Sequence, residues 1–202
     1  GFAMQPQDLR TEGWTLESPA VQDLLNKLRQ VGVPLGGDGL FVGAKTGLNE
    51  AFLIDDATRE RLVAEDPNSA KLIKQWLRGR DIRKWKAEWA GLHIIAIVSG
   101  TNHAWPWSKE KSEAEARRIF IATYPAIHDH LSQWEDKLRK RDDQGQYWWE
   151  LRSCAYYVEF EKLKIVVPDL APSPRFAIES KCLYPDMTAF VLSSSDPYLL
   201  GI

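Results

Sequence analysis

The hydrophobic pattern of this chain changes period at Tyr156, and that change limits the folds open to it. Upstream, apolar residues recur mostly at helical spacing. Downstream, 156–160, 163–167, 175–178 and 188–193 are short β-type runs separated by Pro, Asp and Ser turns. Among the helical signals, Ser18-Pro19 supplies a cap and a first-turn proline. Leu24, Leu25, Leu28 and Val31 follow at helical intervals, and Gly32 marks the stop. Ile127, Leu131, Trp134 and Leu138 make a single apolar stripe. Spacing also predicts helices over 56–64, 68–77 and 112–123, and strands over 40–42 and 51–54. The apolar run 92–98 has the length of a central buried strand. Helices and strands mix without strict βαβ alternation. The expected fold is therefore a single α+β domain, with a mixed, mainly antiparallel sheet and several packed helices.

With 202 residues and 44% hydrophobic content, the chain can build a core without disulfides or metal. Its two cysteines, Cys154 and Cys182, lack a C-x-x-C spacing and read as buried thiols in a reducing compartment. No apolar run approaches the roughly 20 residues of a membrane span, and no export signal opens the sequence. Nine tryptophans are the compositional excess, most of them expected in the core. The apolar end Tyr198-Leu199-Leu200-Gly201-Ile202 reads as a cut from a longer chain.

Charge is unevenly distributed. The whole chain carries −2, yet KLIKQWLRGRDIRKWK (71–86) holds seven basic residues against Asp81 alone. Such a concentration steers polyanions, and the interleaved Trp76 and Trp85 offer faces for stacking. The loop Gly43-Ala44-Lys45-Thr46-Gly47 is not a phosphate loop, because its Lys precedes the second glycine rather than following it. It instead presents Lys45, Thr46 and Asn49 to phosphates or base edges.

Pro168-Asp169 followed by Glu179-Ser180-Lys181 matches the spacing of a metal-dependent nuclease. In that alternative, Asp169 and Glu179 hold the metal and Lys181 assists the attacking water. The pattern is short and degenerate. His128 and His130, two residues apart, point to different helix faces and make a poor metal pair. A third reading, from another class, is a protein-interaction module that uses exposed tryptophans.

Read in order, GAKTGLNEAF (43–52), DPNSAKLIKQWLRGRDI (66–82), YPAIHDHL (124–131), WWELR (148–152), KIVVPDLA (164–171) and YLLGI (198–202) resemble one family. It is the TaqI-like C-terminal specificity domain of adenine-specific DNA methyltransferases and fused restriction-modification enzymes. The resemblance implies a target-recognition domain over 34–202, preceded by a helical lead-in over 1–33 from an upstream domain. It also implies that this fragment is no enzyme. Catalysis, S-adenosylmethionine and any cleavage activity belong to missing domains, and the fragment itself takes no cofactor and no metal. The implied partners are duplex DNA and the upstream methyltransferase domain of the same polypeptide, with no membrane. Carried onto this sequence, the DNA-binding residues are Lys45, Thr46, Asn49, Lys74, Arg78, Arg80, Arg83, Lys84, Trp148 and Arg152. Gly79, between two arginines, lets the backbone approach the nucleic acid. Residues 99–115 read as a chain-specific insertion and a second place for base readout.

Overall fold

The structure is a computed structural model and describes residues 9–10, 13–14, 17–32, 39–194, 196 and 198–199. Two compact units divide at Asp38/Gly39. In the first, β1 (Leu9–Arg10) pairs antiparallel with β2 (Gly13–Trp14), and α1 (Pro19–Val31) follows with proline in its first turn. No residue of α1 is buried.

The second unit holds two four-stranded sheets where the sequence pattern predicts one. The first comprises β3 (Leu40–Val42), β9 (Lys164–Pro168), β10 (Ala177–Glu179) and β12 (Ala189–Leu192) in the order β10-β9-β12-β3, antiparallel throughout. Val191 stands opposite both Val166 and Phe41. β4 (Leu53–Asp55), β5 (Ile73–Leu77), β8 (Leu92–Ile95) and β11 (Tyr184–Pro185) form the other, in the order β11-β5-β8-β4. Only its β11–β5 pair is parallel. A small hairpin, β6 (Ile82–Arg83) with β7 (Lys86–Ala87), leaves the end of β5. The α+β class is as expected.

Among the described residues of this unit are five α-helices: α2 (Asn49–Phe52), α3 (Asp56–Glu65), α4 (Glu113–Thr123), α5 (Pro125–Ser132) and α6 (Glu135–Leu138). Asp55 caps α3 by accepting from the Thr58 amide at 2.8 Å. α5 packs against α2, α3 and α4. The stripe of Ile127, Leu131 and Leu138 is buried, with Trp134 half-buried.

Three local expectations fail for identifiable reasons. Residues 68–77 are a 3₁₀ turn (Pro67–Lys71) and then β5, not a helix. Leu72, Ile73, Trp76 and Leu77 fit a helical period, but ladders to β8 and β11 on both sides hold this segment extended, and tertiary pairing overrides local pattern. Residues 51–54 split between the end of α2 and β4. Residues 156–160 fall largely in a 3₁₀ turn (Tyr157–Glu161) rather than a strand. Tyr157 and Phe160, three apart, lie on one side of such a turn, with rings 5.8 Å apart.

Most tryptophans enter the body, as expected. Trp76, Trp107, Trp148 and Trp149 are buried, while Trp89, Trp105 and Trp134 are half-buried. Trp149 is sandwiched between Tyr147 (4.7 Å) and Phe120 (5.2 Å), nearly parallel to both. The cysteines depart from the expectation. Both are free thiols, but Cys154 is half-buried and Cys182 is exposed.

Candidate nucleic-acid interface

The ends of the two sheets meet around the turn 186–188, and this junction shapes a concavity of the second unit. Gly43 donates to the Ala189 carbonyl and Ala44 to that of Pro185, drawing the exit of β3 against β11 and β12. Gly79, just beyond β5, donates to Asp186 Oδ1 (3.2 Å) and Thr188 Oγ1 (3.0 Å). A Cβ at Gly43 would sit 1.9 Å from the Asp186 carbonyl, and one at Gly79 would sit 2.2 Å from that of Thr188. Only glycine permits either approach. Gly79 is therefore needed by the protein's own turn. The sequence reading, in which it brings backbone to a nucleic acid, is corrected on this point.

The resulting groove has a volume of about 720 Å³. Lys45, Thr46 and Asn49 line one side, Arg78 and Trp76 another, and Met187 and Thr188 a third. Three segments far apart in sequence thus converge on one recess, and four of the residues singled out from sequence lie on its wall. Thr46 is buried and its hydroxyl donates to Asn49 Oδ1 at 2.6 Å, which fixes the orientation of the amide at the start of α2. Lys45 reaches Asp143 at 2.7 Å, and Arg152 approaches the other oxygen of the same carboxylate at 3.9 Å. Asp143 therefore joins Arg152 to the border of the groove. One acid stands between these two cations, and the lining itself sets Lys45 and Arg78 against Glu50 and Asp186.

The loop has a support that the sequence did not reveal. Arg141 is buried and donates to the carbonyls of Thr46, Trp148 and Glu150, with its guanidinium 4.6 Å from the Phe52 ring centroid. Burial pulls its pKa down to about 10, so it remains charged at neutral pH. Glu150 is also buried; its carboxylate accepts from the Gly100 and Gln146 amides and from Trp107 Nε1, and burial raises its pKa. Neither role leaves a motif. Arg141 lies in the charged stretch RKRDDQG, which resembles any solvated surface segment.

The basic run is more neutralised than its composition implies. Arg78 grips Asp81 with two nitrogens (2.6 and 3.0 Å), and this hydrogen-bonded pair raises the Arg78 pKa. Lys74 pairs with Glu161 at 2.9 Å. It lies in a separate recess of about 450 Å³, alongside His103 and Trp105, instead of in the groove. Arg83 and Lys86 share Glu88 (3.6 and 3.3 Å). Arg80 and Lys84 are exposed and have no ion-pair partner among the described residues. Beside Asp81, the acids that set this balance, Glu161 and Glu88, come from outside the run, where a local count does not see them.

Trp148 departs from the sequence assignment. Its ring is buried, with Arg117 and Arg139 each 5.6 Å from its centroid, and burial removes it from direct contact with a ligand. The nuclease triad also fails on geometry. Glu179 is buried, its oxygens taken by Lys164 Nζ and by the Lys181 and Leu183 amides, so neither is available to a metal. His130 donates from Nε2 to the Ala51 carbonyl at 3.0 Å, and His128 contacts Arg117, Asp129 and Ser132. Among the described residues no helix is long and apolar enough to cross a membrane.

In comparison with known proteins, the sequence matches no family model and no curated protein. One solved structure with a similar shape is that of the type IIL restriction-modification enzyme MmeI in complex with DNA. The two chains are 9% identical with a TM-score of 0.48, over 81% of this chain and 20% of that one. The chain thus spans about a fifth of the length of that enzyme.

Proposed function

We propose that this chain is a DNA target-recognition domain. It binds duplex DNA through the groove of Lys45, Thr46, Asn49 and Arg78, with Arg152 at its border and Arg80, Arg83 and Lys84 extending the cationic surface. In this reading it is the specificity part of an adenine-specific methyltransferase or restriction-modification enzyme of bacterial or archaeal cytoplasm. S-adenosylmethionine and the chemistry belong to an upstream domain of the same polypeptide, and this chain carries no catalytic residue. The observation that carries the reading is convergence: side chains from 45–49, 76–78 and 186–188 line one recess although they are spread over the sequence, and Arg152 reaches Asp143, the partner of Lys45. Its loop is braced from behind by Arg141, so the groove is formed before any ligand arrives. The ordered sequence blocks that resemble the TaqI-like specificity domain point the same way. Flipping a target base requires the duplex to be held beside the catalytic site, which is the work a recognition domain does.

Anisotropy of a labelled 30-bp duplex, titrated from about 50 to 200 mM salt, tests this. Affinity is expected to fall steeply with salt, and Lys45→Ala and Arg152→Ala each to flatten the log–log slope by about one unit. Binding that ignores salt, or is indifferent to both substitutions, overturns the reading.

The alternative of a protein-interaction module draws on α1, where Leu24, Leu28 and Val31 are exposed along one face. A chain starting at residue 39 that retains full DNA affinity would leave that face without a role in DNA binding.

A further inference from the structure

The β6–β7 hairpin ends in a tryptophan that its backbone does not favour. Arg83 pairs with Lys86, leaving Lys84-Trp85 as a two-residue loop, and Trp85 takes a left-handed φ of 69°. Turns of this length favour Asn and Gly at such positions, and a bulky side chain at positive φ is an outlier. The Trp85 amide donates to the Phe176 carbonyl at 2.8 Å, which anchors the tip to the body. Trp85 as a whole is nevertheless 51% exposed, while the other tryptophans with described side chains are buried or half-buried. Lys84 Nζ lies 5.3 Å from the ring centroid, and Arg83 and Lys86 flank it. Glu88 is shared by Arg83 and Lys86, which leaves three cations against one acid around the tip, and strain held at an exposed aromatic in this setting points to a ligand with flat faces and negative charge together.

We propose that Trp85 is a wedge that stacks on or between the bases of duplex DNA while Arg83, Lys84 and Lys86 hold the adjoining phosphates. Partial unstacking by an inserted side chain, balanced by added backbone contact, is a known physical mode of binding DNA. The hairpin leaves the groove directly. Trp85 stands seven positions after Arg78, so the two lie within about 25 Å of each other, less than one turn of duplex at about 34 Å. One DNA molecule can therefore engage both. This inference rests on the DNA-binding reading and adds to it the residue that deforms the duplex.

The test uses the full chain with Trp85→Gly and Trp85→Phe. Gly accepts the left-handed backbone and removes the ring; Phe keeps a stacking face. The probes are a fluorescein-labelled 30-bp random-sequence duplex and the same duplex with one central mismatch, which is easier to unstack. The unaltered chain is expected to bind the mismatched duplex several-fold more tightly. Trp85→Gly should lose about tenfold in affinity together with that preference, at an unchanged salt slope and an unchanged or higher Tm. Trp85→Phe should keep most of both. Equal affinity of Trp85→Gly and the unaltered chain for both duplexes overturns the wedge, as does a loss matched by a fall in Tm or not restored by Phe. Failure of the unaltered chain to bind either duplex at low salt overturns the DNA reading itself, and the wedge with it.

Discussion

The buried guanidinium of Arg141 donates to the carbonyl of Thr46, 95 residues earlier in the chain. Through this bond a residue remote from the groove sets the shape of the groove's loop, and the same side chain serves the Trp148 and Glu150 carbonyls. Arg141→Met would leave three carbonyls without their donor in a dry setting. The expected cost is about 3 kcal/mol or more in urea unfolding, with DNA affinity lost along with loop order. Arg141→Lys keeps the charge but not the fork, and should fall between the two.

Asp143 has the opposite role, neutralising two cations at the groove border. Asp143→Asn should strengthen duplex binding and steepen its salt dependence by about one unit, because Lys45 is released to phosphate. Lys45 and Arg152 are both more than a third exposed, so the stability change should stay within about 1 kcal/mol. Parallel salt titrations and melting curves measure the two effects separately.

Arg78 and Arg80 look equivalent on either side of Gly79, but their surroundings differ. Arg78→Ala leaves Asp81, itself buried, without its two donors and should destabilise the fold by about 1–3 kcal/mol. Arg80 is exposed, and its removal should weaken DNA binding with little change in Tm. If the two variants lose stability equally, the Arg78–Asp81 pair contributes nothing.

Burial lowers the pKa of His93 and His130 below their ordinary value of 6.5. Each contributes stability that is complete above pH 6.5 and is lost as pH falls below it toward the folded-state pKa, because the unfolded chain takes up the proton first. Glu150, raised by burial, has the opposite sign. The urea midpoint should therefore drop between pH 7.5 and 5.5 through the histidines. His130→Gln, which can still donate to the Ala51 carbonyl, should make that drop smaller. Glu150 is common to both proteins and cancels in the comparison.

Several elements were legible without coordinates. The start and first-turn proline of α1, the stripe of α5 and α6 and the β runs at 164–168 and 189–192 depend on local periodicity and form where it predicts, although the Ser18 side chain makes no capping hydrogen bond. The segment 68–77 has helical spacing, but two neighbouring strands, which no local pattern encodes, outweigh it. Gly79 was correctly marked as a place of close approach, but what approaches it is Thr188, 109 residues away.

The sequence by itself determined that this chain mixes helices with short strands, places most of its tryptophans inside, and carries cations on a glycine-bracketed loop and on 71–86. Those properties follow from residue type and short-range spacing. Only the tertiary structure decided which charges are neutralised, which tryptophan stays exposed, and that Lys45, Asn49 and Arg78 share one recess. Ion pairing and burial depend on distances between segments, and the two sheets set those distances by joining at the turn 186–188.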